Sequence, residues 1–112
     1  MTLVTETSPT AVMSAVTQLL QRAEQAEDAK RQIEGSDHRD LERMTRNCVV
    51  NAEGADARIL GDLRRVLATE LFPDRRHELS DTGLAFLLKV AYLRIQDSPG
   101  RELSVHDFRL SA

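Results

Sequence analysis

The sequence predicts an all-α protein: an antiparallel three-helix bundle with a long second helix and a short C-terminal tail, helical or extended. Three observations predict it. Apolar residues recur at helical spacing over most of the chain. Aromatic residues make up only 4% of 112 residues, with no Trp, so the core is built from aliphatic side chains that suit packed helices. Prolines and glycines fall between the apolar series or at their ends, where they punctuate helices.

The length indicates a single domain that can bury most of its apolar surface without staples. At 41% apolar and 29% charged, the composition is that of a globular chain. The domain is expected to span 8–112, behind a loose tail at 1–7.

Ser8-Pro9 starts the first helix, with Ser as cap and Pro at the first helical position, where its missing N–H is not needed. Val12, Val16, Leu19, Ala23, Ala26 and Ile33 follow with a heptad rhythm, interrupted only by Lys30. This rhythm fits a coiled-coil seam or a bundle face. Gly35 closes the helix near residue 34.

The second helix is expected over 38–72, capped by Asp37 or Ser36 and stopped by Pro73. Its main stripe is Leu41, Met44, Cys48, Ala52, Ala55, Ile59, Leu63 and Val66. A second stripe, Leu60, Leu67 and Leu71, appears only in the later half. Gly54 marks a kink or break. Asn47, Gly54, Gly61 and Ala68 recur every seven residues, with Ala57 between the glycines. Such a lane of small side chains can admit a second helix at close range.

Ser80 or Asp81 caps a third helix ending near Asp97. In LAFLLKVAYLRI (84–95) apolar residues cover most of the circumference, which predicts a central helix flanked on several sides. Three helices hardly surround it, so the tail or a partner is expected to cover it. In that tail, Leu103, Val105, Phe108 and Leu110 predict docking, and Ser104 with Asp107 predicts a capped turn over 104–110.

Several function classes are set aside at this stage. The net charge of −3 gives no overall cationic footprint for a polyanion. The single cysteine, Cys48, allows no intramolecular disulfide framework and lies on an apolar stripe, where a thiol is inert. The first residues show no cationic segment followed by an apolar run, and the longest apolar run is too short to span a bilayer. A soluble, cytoplasmic protein is expected. His38, His77 and His106 are scattered and no pair has metal-ligand spacing; Asp74, His77 and Asp81 share helical spacing but are better read as capping and solvated groups. No nucleophile elbow or phosphate loop is present, and no cofactor or enzymatic activity is expected.

His77-Glu78-Leu79 is similar to the start of the phosphoacceptor box of histidine kinases. Ser80-Asp81-Thr82 stand where that box continues Arg-Thr-Pro, and Pro73 falls one turn upstream. No family is assigned on this match.

Two classes of function remain. The favoured one is a non-catalytic protein–protein interaction module, a small adaptor, regulator or inhibitor, whose partner is another protein or a second copy. Its expected interface residues are Gly54, Ala57, Gly61, Ala68, Phe86, Val90 and Leu93. The alternative is a small helical subunit of a nucleic-acid-binding complex, with Arg39, Arg43, Arg46, Arg64, Arg65, Arg75 and Arg76 meeting phosphates.

Overall fold

The computed structural model describes residues 8–37, 39–71, 79–98 and 100–110. Among these the chain is all-helical: α1 (Pro9–Glu34), α2 (Leu41–Val50), α3 (Ala55–Glu70), α4 (Asp81–Ile95) and a short 3-10 helix (Val105–Phe108). The first helix keeps its expected bounds. Ser8 Oγ accepts from Ala11 N–H at 3.1 Å, Pro9 opens the first turn, and Gly35 closes it at φ 70°, donating to the Arg31 carbonyl.

The second segment differs most from expectation. Asp40 is its cap, not Asp37 or Ser36, and accepts from Arg43 N–H at 2.9 Å, so the helix starts at Leu41 rather than 38. It ends at Val50, and α3 begins at Ala55. One long helix is therefore two, which makes four α-helices rather than three among the described residues. Gly54 sits between them at φ 57°, ψ −123°, outside the conformations open to ordinary L-residues.

The break resets the helical phase. In α3 the deeply buried residues are Leu60, Leu63 and Leu67, whereas Ile59 and Val66 of the expected main stripe are only partly buried and Ala55 is exposed. In α1 the heptad face divides. Val12, Val16 and Leu19 are in the core, while Ala26 and Lys30 are exposed and Ile33 is 87% exposed.

The core lies where α1 meets α3 and α2 meets α4, with α1 also resting on α2. In α4, Leu84, Ala85, Leu87, Leu88, Ala91 and Tyr92 are buried. The tail supplies part of that cover through Leu103 and Phe108, the latter fully buried. Its anchor is polar: buried Thr17 donates its hydroxyl to the Met13 carbonyl at 2.8 Å and accepts from Leu103 N–H at 2.9 Å. Asp107 then holds the turn, accepting from Ser104 N–H at 2.8 Å and from Arg101 at 2.6 Å. Val105 packs against the core while partly buried and Leu110 is exposed, so the tail docks through three of its four apolar residues. Among the described residues no helix is long and apolar enough to cross a membrane.

Candidate interaction surfaces

Helix α4 presents two kinds of surface. Residues at one angular sector, Leu84, Leu88 and Ala91 among them, are sealed against α2 and the tail. Phe86, Val90 and Leu93, spaced by four and three residues, fall on another face and form one stripe. Phe86 is 52% exposed and Leu93 45% exposed, with Val90 partly buried between them. Beside Phe86 opens a groove of about 240 Å³ between α2 and α4, whose apolar walls are Val50, Ala85 and Phe86. Its charged lining is Glu42 and Arg46 from α2 with Asp81 and Lys89 from α4. Val50 is 62% exposed, so the stripe continues across the groove onto α2. Clustered large apolar side chains on a polar rim are a feature of contact surfaces, whereas scattered single ones are ordinary.

Sequence reasoning named Phe86, Val90 and Leu93 but missed Val50, Glu42 and Lys89. Val50 lies off the apolar stripe of its helix, and only the break at 51–54 leaves it at a helix end beside α4. No local signal in the sequence pairs it with Phe86.

The small-residue lane fares differently. Gly54 and Ala57 are exposed, and Gly61 and Ala68 are partly buried. A Cβ added at Gly54 or Gly61 would meet nothing within 4 Å. Among the described residues no helix approaches closely at Gly54 or Gly61, and Gly54 serves the turn between α2 and α3.

The arginines are mostly engaged with carboxylates of their own chain. Arg39 joins Asp28 at 3.0 Å and Glu24 at 3.4 Å, and donates to the Tyr92 hydroxyl at 3.3 Å. Tyr92 in turn donates to Glu24. Arg43 donates to Glu27 at 2.5 Å, a carboxylate whose side chain is almost wholly buried. Arg46 pairs with Glu42 at 3.7 Å, Arg65 with Asp62 at 3.2 Å, and Arg64 with Asp81. The Arg39 and Arg43 bonds tie the second half of α1 to the segment before α2, to α2 itself and, through Tyr92, to α4, whereas Arg46 and Arg65 pair within their own helices and Arg64 joins α3 to the start of α4. Hydrogen bonds from Arg39, then Arg31, hold the Asp28 carboxyl below its ordinary value. Burial, reinforced by the bond to Glu24, pushes the Tyr92 hydroxyl upward. Arg75 and Arg76 lie outside the described residues, as do His38, Asp74 and His77.

A second groove, of about 370 Å³, separates α1 from α2 and the start of α3. Leu19, Ala23, Met44, Cys48 and Ala52 are among its lining residues. Burial drives the Cys48 thiol up to about 11, with Asp56 adding to the shift and Arg22 opposing it. A thiol in that state is a poor nucleophile at neutral pH. Among the described residues, no three His, Cys, Asp or Glu side chains gather into a cluster that could hold a metal ion. Comparison with protein-family models, curated proteins and solved structures finds no match.

Proposed function

We propose that this chain is a non-catalytic helical interaction module of the cytoplasm, a small adaptor, regulator or inhibitor that acts by burying a helix face against another protein. The observation that carries this reading is the continuous apolar stripe of Phe86, Val90 and Leu93, extended by Val50 across the α2–α4 groove. In this reading the helices form an antiparallel bundle with its bend at Gly54, and the bundle is a rigid support for that stripe. Binding energy comes from removing the stripe from water, at about 25 cal/mol per Å² of apolar surface. The mixed charges of the rim select the partner and its orientation. The heptad face of α1 beyond Ala23 and the small-residue lane of α3 are further, secondary surfaces for helix pairing.

The pairing of Arg39, Arg43, Arg46, Arg64 and Arg65 with their own carboxylates supports a protein partner over a nucleic acid. A phosphate would have to compete with a bound carboxylate at each site.

The test is affinity capture of the chain from its native cell, compared with a Phe86→Asp/Leu93→Asp variant. Proteins retained by the first and lost by the second, insensitive to nuclease and moderate salt, are the expected result. Capture that vanishes with nuclease or falls steeply with salt would favour phosphate binding instead. Identical capture by both chains would contradict the assigned surface.

A further inference from the structure

We infer that the occupant of the α4 stripe is a second copy of this chain, laid antiparallel so that α4 packs on α4 about a two-fold axis. This rests on the interaction reading above and names the partner for the same surface.

The stripe is self-complementary. With the axis between Lys89 and Val90, Phe86 of each copy meets Leu93 of the other, and the two Val90 side chains fill the centre. The same register brings the N-terminal end of each α4, at Ser80 and Asp81, toward the C-terminal end of the other, where Arg94 lies. Opposed helix dipoles favour that orientation. A two-fold interface of this kind uses one patch twice.

The rim points the same way. It carries Glu42 and Asp81 against Arg46 and Lys89, two charges of each sign, so it offers neither a polyanion nor a polycation a net attraction. Lys89 forms no ion pair within the chain among the described residues, although it lines the groove with Glu42. In a two-fold antiparallel pair the α2 flanks lie on the same side. Both Lys89 side chains then approach the axis, and Glu42 of each copy flanks them. Each Glu42 carboxylate then lies between its own Arg46, at 3.7 Å, and a Lys89 ammonium.

Surface area sets the strength. The exposed parts of Val50, Phe86 and Leu93 offer on the order of 300 Å² of apolar surface per copy, well short of the ~800 Å² per partner of a standard interface. The rim must supply the remainder, and the dimer is therefore a reversible one with a Kd of about 1–100 μM.

Sedimentation equilibrium of the intact chain, from about 1 μM to 500 μM, reads this directly. The expected result is a monomer–dimer equilibrium in that range. Phe86→Asp and Leu93→Asp each weaken it at least about thirtyfold, the loss that marks a hot-spot residue. Both side chains are half exposed, so thermal melts should show the fold intact. Lys89→Glu alone and Glu42→Lys alone each weaken the dimer by crowding like charges at the axis, and the double swap restores it. A chain that stays monomeric throughout, or a dimer indifferent to Phe86→Asp, overturns the inference, as does a double swap without recovery. If the chain is monomeric yet Phe86→Asp/Leu93→Asp still loses captured proteins, the second copy is wrong and the interaction reading stands. If neither mass nor capture responds to those substitutions, both fail.

Discussion

Two glycines seven residues apart, Gly54 and Gly61, should respond to the same substitution with opposite signs. Neither has a neighbour within 4 Å of where a Cβ would stand, so no clash enters at either site. Only the backbone differs. Gly61 lies inside α3 in ordinary helical conformation, where alanine is preferred over glycine by about 1 kcal/mol. Gly61→Ala should therefore stabilise by about 0.5–1 kcal/mol. Gly54 holds φ 57°, ψ −123°, and a Cβ there is strained by about 1–3 kcal/mol. Part of that is offset by the smaller freedom of alanine in the unfolded chain, which leaves a net loss of about 1–2 kcal/mol. Urea unfolding followed by circular dichroism reads both, with unchanged slopes and shifted midpoints. In a thermal melt the two variants should separate by roughly 6–24 °C, at about 4–8 °C per kcal/mol for small domains. The reasoning is refuted if Gly54→Ala is neutral or stabilising, which would mean that α2 and α3 run on as one helix. It is equally refuted if Gly61→Ala destabilises a dilute sample, because the lane would then be packed.

Other substitutions probe the polar ties. Arg43→Ala strips the partner from the nearly buried Glu27 and should lower Tm by several degrees, whereas Arg46→Ala removes an exposed i, i+4 pair and should leave Tm almost unchanged. Equal effects in differential scanning calorimetry would contradict that ranking. Thr17→Val leaves Leu103 N–H buried without its acceptor and should cost about 1–3 kcal/mol in urea unfolding, with the tail amides losing hydrogen-exchange protection first. Unchanged protection at 103–108 would show that the tail is held otherwise. Cys48 should react with a thiol reagent at pH 8 about 100-fold more slowly in the folded chain than in urea, since its folded value rises from 9.0 to about 11. The sign for stability follows: the neutral thiol is favoured in the folded chain, so this contribution is intact below pH 9 and is lost as pH rises toward 11. Fast labelling at pH 8 would place the thiol in open solvent.

The sequence is most legible where a cap and an apolar period agree. Ser8-Pro9 and Gly35 delimit α1, and Ser80 with a dense leucine run delimits the start of α4, because each is local chemistry. The α2–α3 region is less legible. Its apolar period runs unbroken through Gly54, and whether a glycine bends or ends a helix depends on where the following turns find cover. Leu60, Leu63 and Leu67 reach the core only if α3 turns away from α2. The same reason explains the missed half of the interaction surface. Phe86 and Leu93 stand out on their own helix, but Val50 joins them only through tertiary placement. The arginines looked like a phosphate track in one dimension. In three, Glu24, Glu27 and Asp28, one turn apart on α1, meet Arg39 and Arg43 across more than ten residues of chain.

The central claim is that the face bearing Phe86, Val90 and Leu93 is covered by protein when the chain works. The most direct measurement places a photoreactive benzoylphenylalanine at position 86, and as a control at exposed Arg58 on α3, then irradiates intact cells. Cross-linking of a polypeptide from position 86 and none from position 58 is the predicted result. Equal yields from both positions, or no adduct from position 86, would contradict it.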